Sequence, residues 1–152
     1  RIVESVIEVN ASQKARMVAK IREALGGSEA DKRIAVLGLT FKPETDDMRD
    51  APALAILPAL LDRGAEICAH DPQGMKEAKE LLPEGIAYAD SIEAATQDAD
   101  AVVLMTEWNE YRGLDLSALV QRMRGDVFVD LRNVYERHLM ERAGLRYTSV
   151  GR

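Results

Sequence analysis

Three short stretches gather most of the side chains that could bind anions or move protons. Residues 40–50 read Thr-Phe-Lys-Pro-Glu-Thr-Asp-Asp-Met-Arg-Asp, residues 106–109 read Thr-Glu-Trp-Asn, and Arg132-Asn133 form the third. Lys42 precedes Pro43, which biases its backbone toward an extended conformation. At the end of a strand such a lysine projects into a crevice. Its compact charge and three donors suit phosphate or hydroxyl oxygens, and a solvated surface lysine would leave the same sequence. Arg49 lies among Glu44, Asp46, Asp47 and Asp50. That pattern fits a local ion-pair cluster that orders a loop, or a phosphate contact whose guanidinium the acids hold in place. Arg132 reads equally as a rim arginine or as a fork for phosphate.

Other chemistry is scarcer. The single cysteine, Cys68, stands between Ile67 and Ala69 in an apolar run and reads as a buried structural thiol. His70 and His138 are the only histidines, and neither has a partner at metal-ligand spacing. Asp71 closes an apolar run where a ribose-binding acid would sit in a dinucleotide site, but Pro72 follows and favours a turn role. The turn Gly38-Leu-Thr-Phe-Lys42 lacks the G-x-G-x-x-G phosphate fingerprint. Trp108 suits packing between sheet and loop more than stacking on a base.

The elements that must position these residues follow from hydrophobic patterning. An apolar stripe at Ile2, Val3, Val6, Ile7 and Val9 resumes at Met17, Val18, Ile21 and Leu25, with helical spacing, until Gly26-Gly27 stop it. Residues 27–32 read as a linker. The apolar run at 34–39 reads as a buried strand, and 66–70, 86–89, 101–105, 127–130 and 145–149 read as further strands. Between them fall helices. One is capped by Asp50, has Pro52 in its first turn and Pro58 inside as a bend, and closes at Gly64. Others cover 73–82, 91–97 with an Asp90/Glu93 capping box, Asp115 through Met123 with Gly125 beyond, and 136–142. Met105, Met123 and Met140 fall on core faces, as does Met17. Alternating strands and helices of this length predict an α/β, doubly wound, Rossmann-like parallel sheet of five to six strands, preceded by one long helix. The expected order is 3-2-1-4-5 with a sixth strand at the edge, and two units are expected at 1–26 and 33–152. Ligands in such sheets bind beyond the carboxyl ends of the strands at the topological switch point. Here that places the loops 40–50, 106–113 and 131–135 around the crevice.

Composition agrees with one globular unit. The 152 residues carry 20 Lys+Arg against 26 Asp+Glu, a formal charge of -6, with 47% hydrophobic and 30% charged residues. An acidic chain is a poor nucleic-acid binder. No apolar run approaches the roughly 20 residues of a membrane span, so a cytoplasmic location is the expectation. The uncapped helical start at Arg1 reads as the cut end of a longer protein.

These motifs resemble a known family. Gly38-Leu-Thr-Phe-Lys-Pro-Glu-Thr-Asp-Asp-Met-Arg-Asp-Ala-Pro52 is similar to the signature opening the C-terminal domain of UDP-glucose 6-dehydrogenases. Asp71-Pro72, Thr106-Glu-Trp108 and Asp130-Leu-Arg-Asn-Val-Tyr135 resemble that family's later motifs in the same order, and Val9-Asn10 with Gln13 resembles the end of its central helix. The resemblance implies a UDP-sugar-binding domain of an enzyme that oxidises UDP-glucose twice to UDP-glucuronate with NAD. It implies Phe41, Lys42 and Arg132 as substrate-binding residues and Arg49 as the NAD contact. Leu131 stands where the family often has Gly, and Ala51 where it often has Ser. The family's nucleophilic cysteine and its glycine-rich NAD turn would lie upstream of this chain, so the fragment is expected to be inactive alone and to contain no catalytic residue. Cys68 does not match the nucleophile. The resemblance also implies a homodimer through the central helix, and that helix's two apolar stripes, offset by Val3/Ile7 and Val6/Val9, fit burial on more than one side. Two other readings stand beside it. One is the same domain in a GDP-mannose or UDP-N-acetyl-hexosamine dehydrogenase, and the other is a non-catalytic Rossmann-like interaction module.

Overall fold

The computed structural model describes residues 2–150, with side chains from residue 12 onward. The apolar positions Ile2, Val3, Val6, Ile7 and Val9, and the Val9-Asn10 pair, therefore lie outside the described side chains. The chain opens with helix α1 (Ile2–Ala24) and continues into β1 (Arg33–Leu37) and α2 (Ala53–Asp62). Next come β2 (Glu66–His70), α3 (Met75–Leu81), β3 (Ile86–Tyr88), α4 (Ile92–Thr96) and β4 (Ala101–Leu104). After β4 follow α5 (Asn109–Arg112), α6 (Leu116–Arg122), β5 (Val127–Asp130), α7 (Arg137–Arg142) and β6 (Arg146–Ser149).

The six strands form one sheet in the order β3-β2-β1-β4-β5-β6, and every pairing is parallel. This is the expected doubly wound arrangement, with the sixth strand at the edge beside β5. The order reverses between β1 and β4, which pair Leu37 with Leu104 at their carboxyl ends.

Strand alternation divides the core between the two faces. Ile34, Val36, Val103 and Val129 join Ile56, Leu57 and Leu60 of α2 and Ile21 of α1 on one face. Ala35, Leu37, Leu104 and Phe128 join Tyr111, Leu119 and Met140 on the other. Because both faces are covered, β1, β4 and β5 read as continuous apolar runs rather than alternating ones. Met105, Met123 and Met140 are buried, and Met17 packs against the first cluster.

The residues after α1 are fixed, not slack. Gly27 N–H donates back to Arg22 O at 2.9 Å, with φ of +103° at Gly27. Glu29 is buried and pairs with Arg22 at 3.2 Å, and Asp31 N–H donates to Gly64 O. At the far end of the sheet, Lys20 Nζ donates to the Ser149 carbonyl at 2.6 Å, tying α1 to β6.

Three local expectations need correction. Asp50 does not cap α2. It sits at φ +58°, Pro52 holds the N-cap position, and no side chain bonds there. Asp90 is displaced by Ser91, whose extended backbone lets its hydroxyl accept from Ala94 N–H at 3.0 Å. The segment 106–113 is not all loop, because Asn109–Arg112 close into a single helical turn. Asp115 caps α6 as expected, accepting from Ala118 N–H.

Candidate functional site

Two aspartates at strand ends organise the carboxyl edge of the sheet. Asp71 follows β2 and is fully buried. Its Oδ1 accepts from Gln73 N–H and Gly74 N–H at 2.9 and 2.7 Å, which is the turn role expected from Asp71-Pro72. Its Oδ2 accepts from Leu39 N–H at 2.7 Å, Thr40 N–H at 3.1 Å and the Trp108 indole N–H at 3.3 Å. One carboxylate therefore fastens the loops after β1, β2 and β4. Asp130, the last residue of β5, repeats the device. Its Oδ1 accepts from Arg132 N–H, and its Oδ2 accepts from Val134 N–H, Tyr135 N–H and the Tyr147 hydroxyl.

The switch point is closed by direct contact. Gly38 has φ of +99°, and a Cβ there would sit 2.5 Å from the Thr106 backbone nitrogen. Only glycine allows these two loops to approach so closely. The Thr106 hydroxyl then donates to the Thr40 carbonyl at 2.8 Å.

From this base the first loop projects outward. Phe41 is 47% exposed, and Phe41 N–H donates to the Asp47 carbonyl. Lys42 is exposed, and its ammonium has no hydrogen bond or ion pair among the described residues. Arg49 is 88% exposed along its side chain, with Nε and Nη2 each 3.0 Å from an Asp47 oxygen. Those hydrogen bonds from Arg49, side chain first and then backbone, hold the Asp47 carboxyl down at about 2. Met48 and Ala51 are buried and anchor the far end of the loop.

On the other side of the switch, Arg132 turns toward Glu107 rather than standing alone. Its Nε and Nη2 donate to Glu107 Oε2 at 3.2 and 2.8 Å. Burial raises the Glu107 carboxyl, but the hydrogen bonds and charge of Arg132, with Glu107's own amide and the Arg112 charge, outweigh it and leave the carboxyl below its ordinary value. The structure thus places Phe41, Lys42 and Arg49 on the β1–α2 loop and Arg132 on the loop after β5, all at the carboxyl end of the sheet.

Sequence reasoning left Glu107 and Asp130 without roles. The signal for Asp130 was present, since an acid at a strand end followed by Arg-Asn sets up a local turn. Nothing local marked Glu107 as the partner of a residue 25 positions away. A buried pair also went unread: the Tyr111 hydroxyl donates to the His70 carbonyl at 2.9 Å and lies 2.7 Å from His70 Nδ1. Its single proton is used on the carbonyl, so Nδ1 carries the hydrogen between them. Burial lowers the His70 pKa and raises those of Tyr111 and Cys68.

The described residues do not form a dinucleotide cradle. Both oxygens of Asp71 are occupied by protein donors, so the acid is not available to a ribose. Helix α2 starts only at Ala53, far along from β1, so no helix N-terminus follows the first turn closely. Exposed Arg49 can reach such a group only from the rim. Among the described residues, no group of three or more His, Cys, Asp or Glu could hold a metal ion, and no helix is long and apolar enough to cross a membrane.

The parallel order, the switch-point loops and the exposed cations define a Rossmann-like ligand-binding domain that lacks the dinucleotide phosphate turn. Residues 35–137 match the family described as UDP-glucose/GDP-mannose dehydrogenase family, UDP binding domain, and the chain belongs to that family. It is 47% identical over all 152 residues to a UDP-glucose 6-dehydrogenase of Rhizobium meliloti (strain 1021), covering 35% of that protein. The chain thus spans about a third of the length of the curated relatives it matches. A UDP-glucose dehydrogenase structure from the hyperthermophilic archaeon Pyrobaculum islandicum superposes with a TM-score of 0.77 at 33% identity, covering 95% of this chain and 31% of that one. A UDP-D-ManNAc dehydrogenase from Pyrococcus horikoshii gives 0.78 at 26% identity, over 95% of this chain and 32% of that one.

Proposed function

We propose that this chain is the UDP-sugar-binding domain of an NAD-dependent UDP-glucose 6-dehydrogenase, which oxidises UDP-glucose to UDP-glucuronate in two steps. The relation that carries this reading is the 47% identity to a UDP-glucose 6-dehydrogenase over all 152 residues, a span that takes in the switch-point loops. In this reading Lys42 and Arg132 bind the diphosphate, Phe41 packs against the substrate, and Arg49 touches NAD held mainly by a domain outside this chain. Remote contacts of this kind hold a sugar in place for chemistry performed elsewhere. The one thiol of the chain, Cys68, is buried in β2, so a nucleophilic cysteine is not supplied from here. A homodimer through the central helix completes the proposal.

The test is calorimetric titration of the intact protein carrying this domain with UDP-glucose, UDP, GDP and UDP-N-acetylglucosamine. Binding of UDP and UDP-glucose with rejection of GDP supports the assignment, because a base-reading site leaves its polar groups unpaired against the wrong base. The likeness to the UDP-D-ManNAc enzyme, at a TM-score of 0.78 beside 0.77 for the UDP-glucose enzyme, favours a second reading. Tighter binding and faster turnover of a UDP-N-acetyl-hexosamine would establish it instead. Absence of any nucleotide binding would leave a Rossmann-like interaction module.

A further inference from the structure

The rim of the sheet holds one acid whose placement the ligand-binding reading does not use. Glu107 lies between two pinned residues. Thr106 on one side is bonded to the Thr40 carbonyl and closed against Gly38. Trp108 on the other side is bonded to Asp71 and is buried to 4% exposure. The backbone beneath Glu107 therefore cannot drift. Arg132 is fixed in the same way, since its N–H donates to Asp130 Oδ1 at 3.1 Å and the following turn is bonded to Asp130 Oδ2.

The contact between the two side chains is one-sided. Nε and Nη2 of Arg132 both converge on Glu107 Oε2. Arg132 Nη1 has no hydrogen-bond partner among the described residues. Glu107 Oε1 is buried and has no partner among them either. A buried acceptor left unsatisfied is costly, and an acid kept there at that cost calls for an explanation. An arginine–carboxylate pair is frequently a fork that uses both oxygens of the carboxylate. This one grips a single edge of the guanidinium and leaves the other edge to an incoming group.

We infer that Glu107 is the positioning residue of the nucleotide-sugar site. It fixes the Nε–Nη2 edge of Arg132 so that the remaining donors meet the diphosphate in one orientation. The inference rests on Arg132 being a diphosphate ligand. It places the specificity of the rim in a pair contributed by the loops after β4 and β5, and not in the arginine alone. Asp47 holds Arg49 by the same Nε–Nη2 edge, but there each nitrogen meets its own carboxylate oxygen.

A double-mutant cycle on the intact protein tests this, with UDP as the titrant. Arg132→Ala and Glu107→Ala should each weaken UDP binding by roughly tenfold. The double variant should bind no more weakly than Arg132→Ala. Glu107→Gln keeps the shape and guards against loss of folding, and it should raise KM for the nucleotide sugar while KM for NAD stays unchanged. Fully additive losses would overturn the inference, since Glu107 would then act elsewhere. Unchanged or tighter UDP binding in Glu107→Gln, with Arg132→Ala still weak, would overturn it and leave the site intact, because the acid would then merely compete with phosphate. No loss in Arg132→Ala would overturn both the inference and the placement of the ligand.

Discussion

The indole N–H of Trp108 donates to Asp71 Oδ2 at 3.3 Å, so the loop after β4 and the turn after β2 share one acceptor across the end of β1. The same oxygen accepts from Leu39 and Thr40. Asp71→Asn replaces an acceptor with an amide that points hydrogens at backbone N–H groups on one side or the other. A loss of about 2–4 kcal/mol is expected, read from urea unfolding. The loops around 39–42 and 106–108 should lose amide-exchange protection together.

Gly38→Ala combines two costs. The residue sits at φ +99°, and the added carbon would lie 2.5 Å from a backbone nitrogen that cannot swing aside. Backbone strain and overpacking are each worth about 1–3 kcal/mol, so unfolding should show a loss of about 2–5 kcal/mol. Gly85→Ala is the comparison, because it has a similar φ of +102° but open space around it. Its loss should be clearly smaller.

Lys42→Ala should act on ligand and not on folding. The side chain is exposed, with no hydrogen bond or ion pair among the described residues. UDP-glucose affinity should fall roughly tenfold or more, as for loss of a charge-assisted phosphate contact. The melting temperature should stay within the error of the measurement.

The His70–Tyr111 pair gives stability a pH slope. Burial lowers the folded pKa of His70 below its ordinary 6.5. Below that pH the unfolded state therefore takes up a proton before the folded state does, and stability falls as pH drops. Above 6.5 the two states bind equally and the contribution is flat. Thermal unfolding between about pH 7 and pH 5 should show this decline, and His70→Gln should flatten it.

The architecture was legible because a parallel sheet covered on both faces writes itself as short apolar runs separated by helices. The strand order followed from the doubly wound pattern that such alternation adopts. The loops at the switch point were legible for the same reason. Local signals failed where neighbours competed: Ser91 took the cap from Asp90 because its backbone is extended there, and Asp50 was turned away at a positive φ. The second oxygen of Asp71 was out of reach in a different sense. Its partners Leu39, Thr40 and Trp108 lie 31 to 37 positions away, and no spacing rule connects them until the sheet is assembled. Glu107 and Arg132 meet for the same reason, on loops that only the pairing of β4 with β5 makes adjacent.

The shared oxygen of Asp71 also decides when the ordering of the crevice takes place. Leu39, Thr40 and Trp108 are immobilised as the chain folds, by bonds made whether or not a ligand is near. The entropy of fixing those loop bases is lost at folding and does not recur at binding. The exposed tips Phe41, Lys42 and Arg49 keep the freedom left to surrender. A ligand entering there should bind with a small ordering penalty.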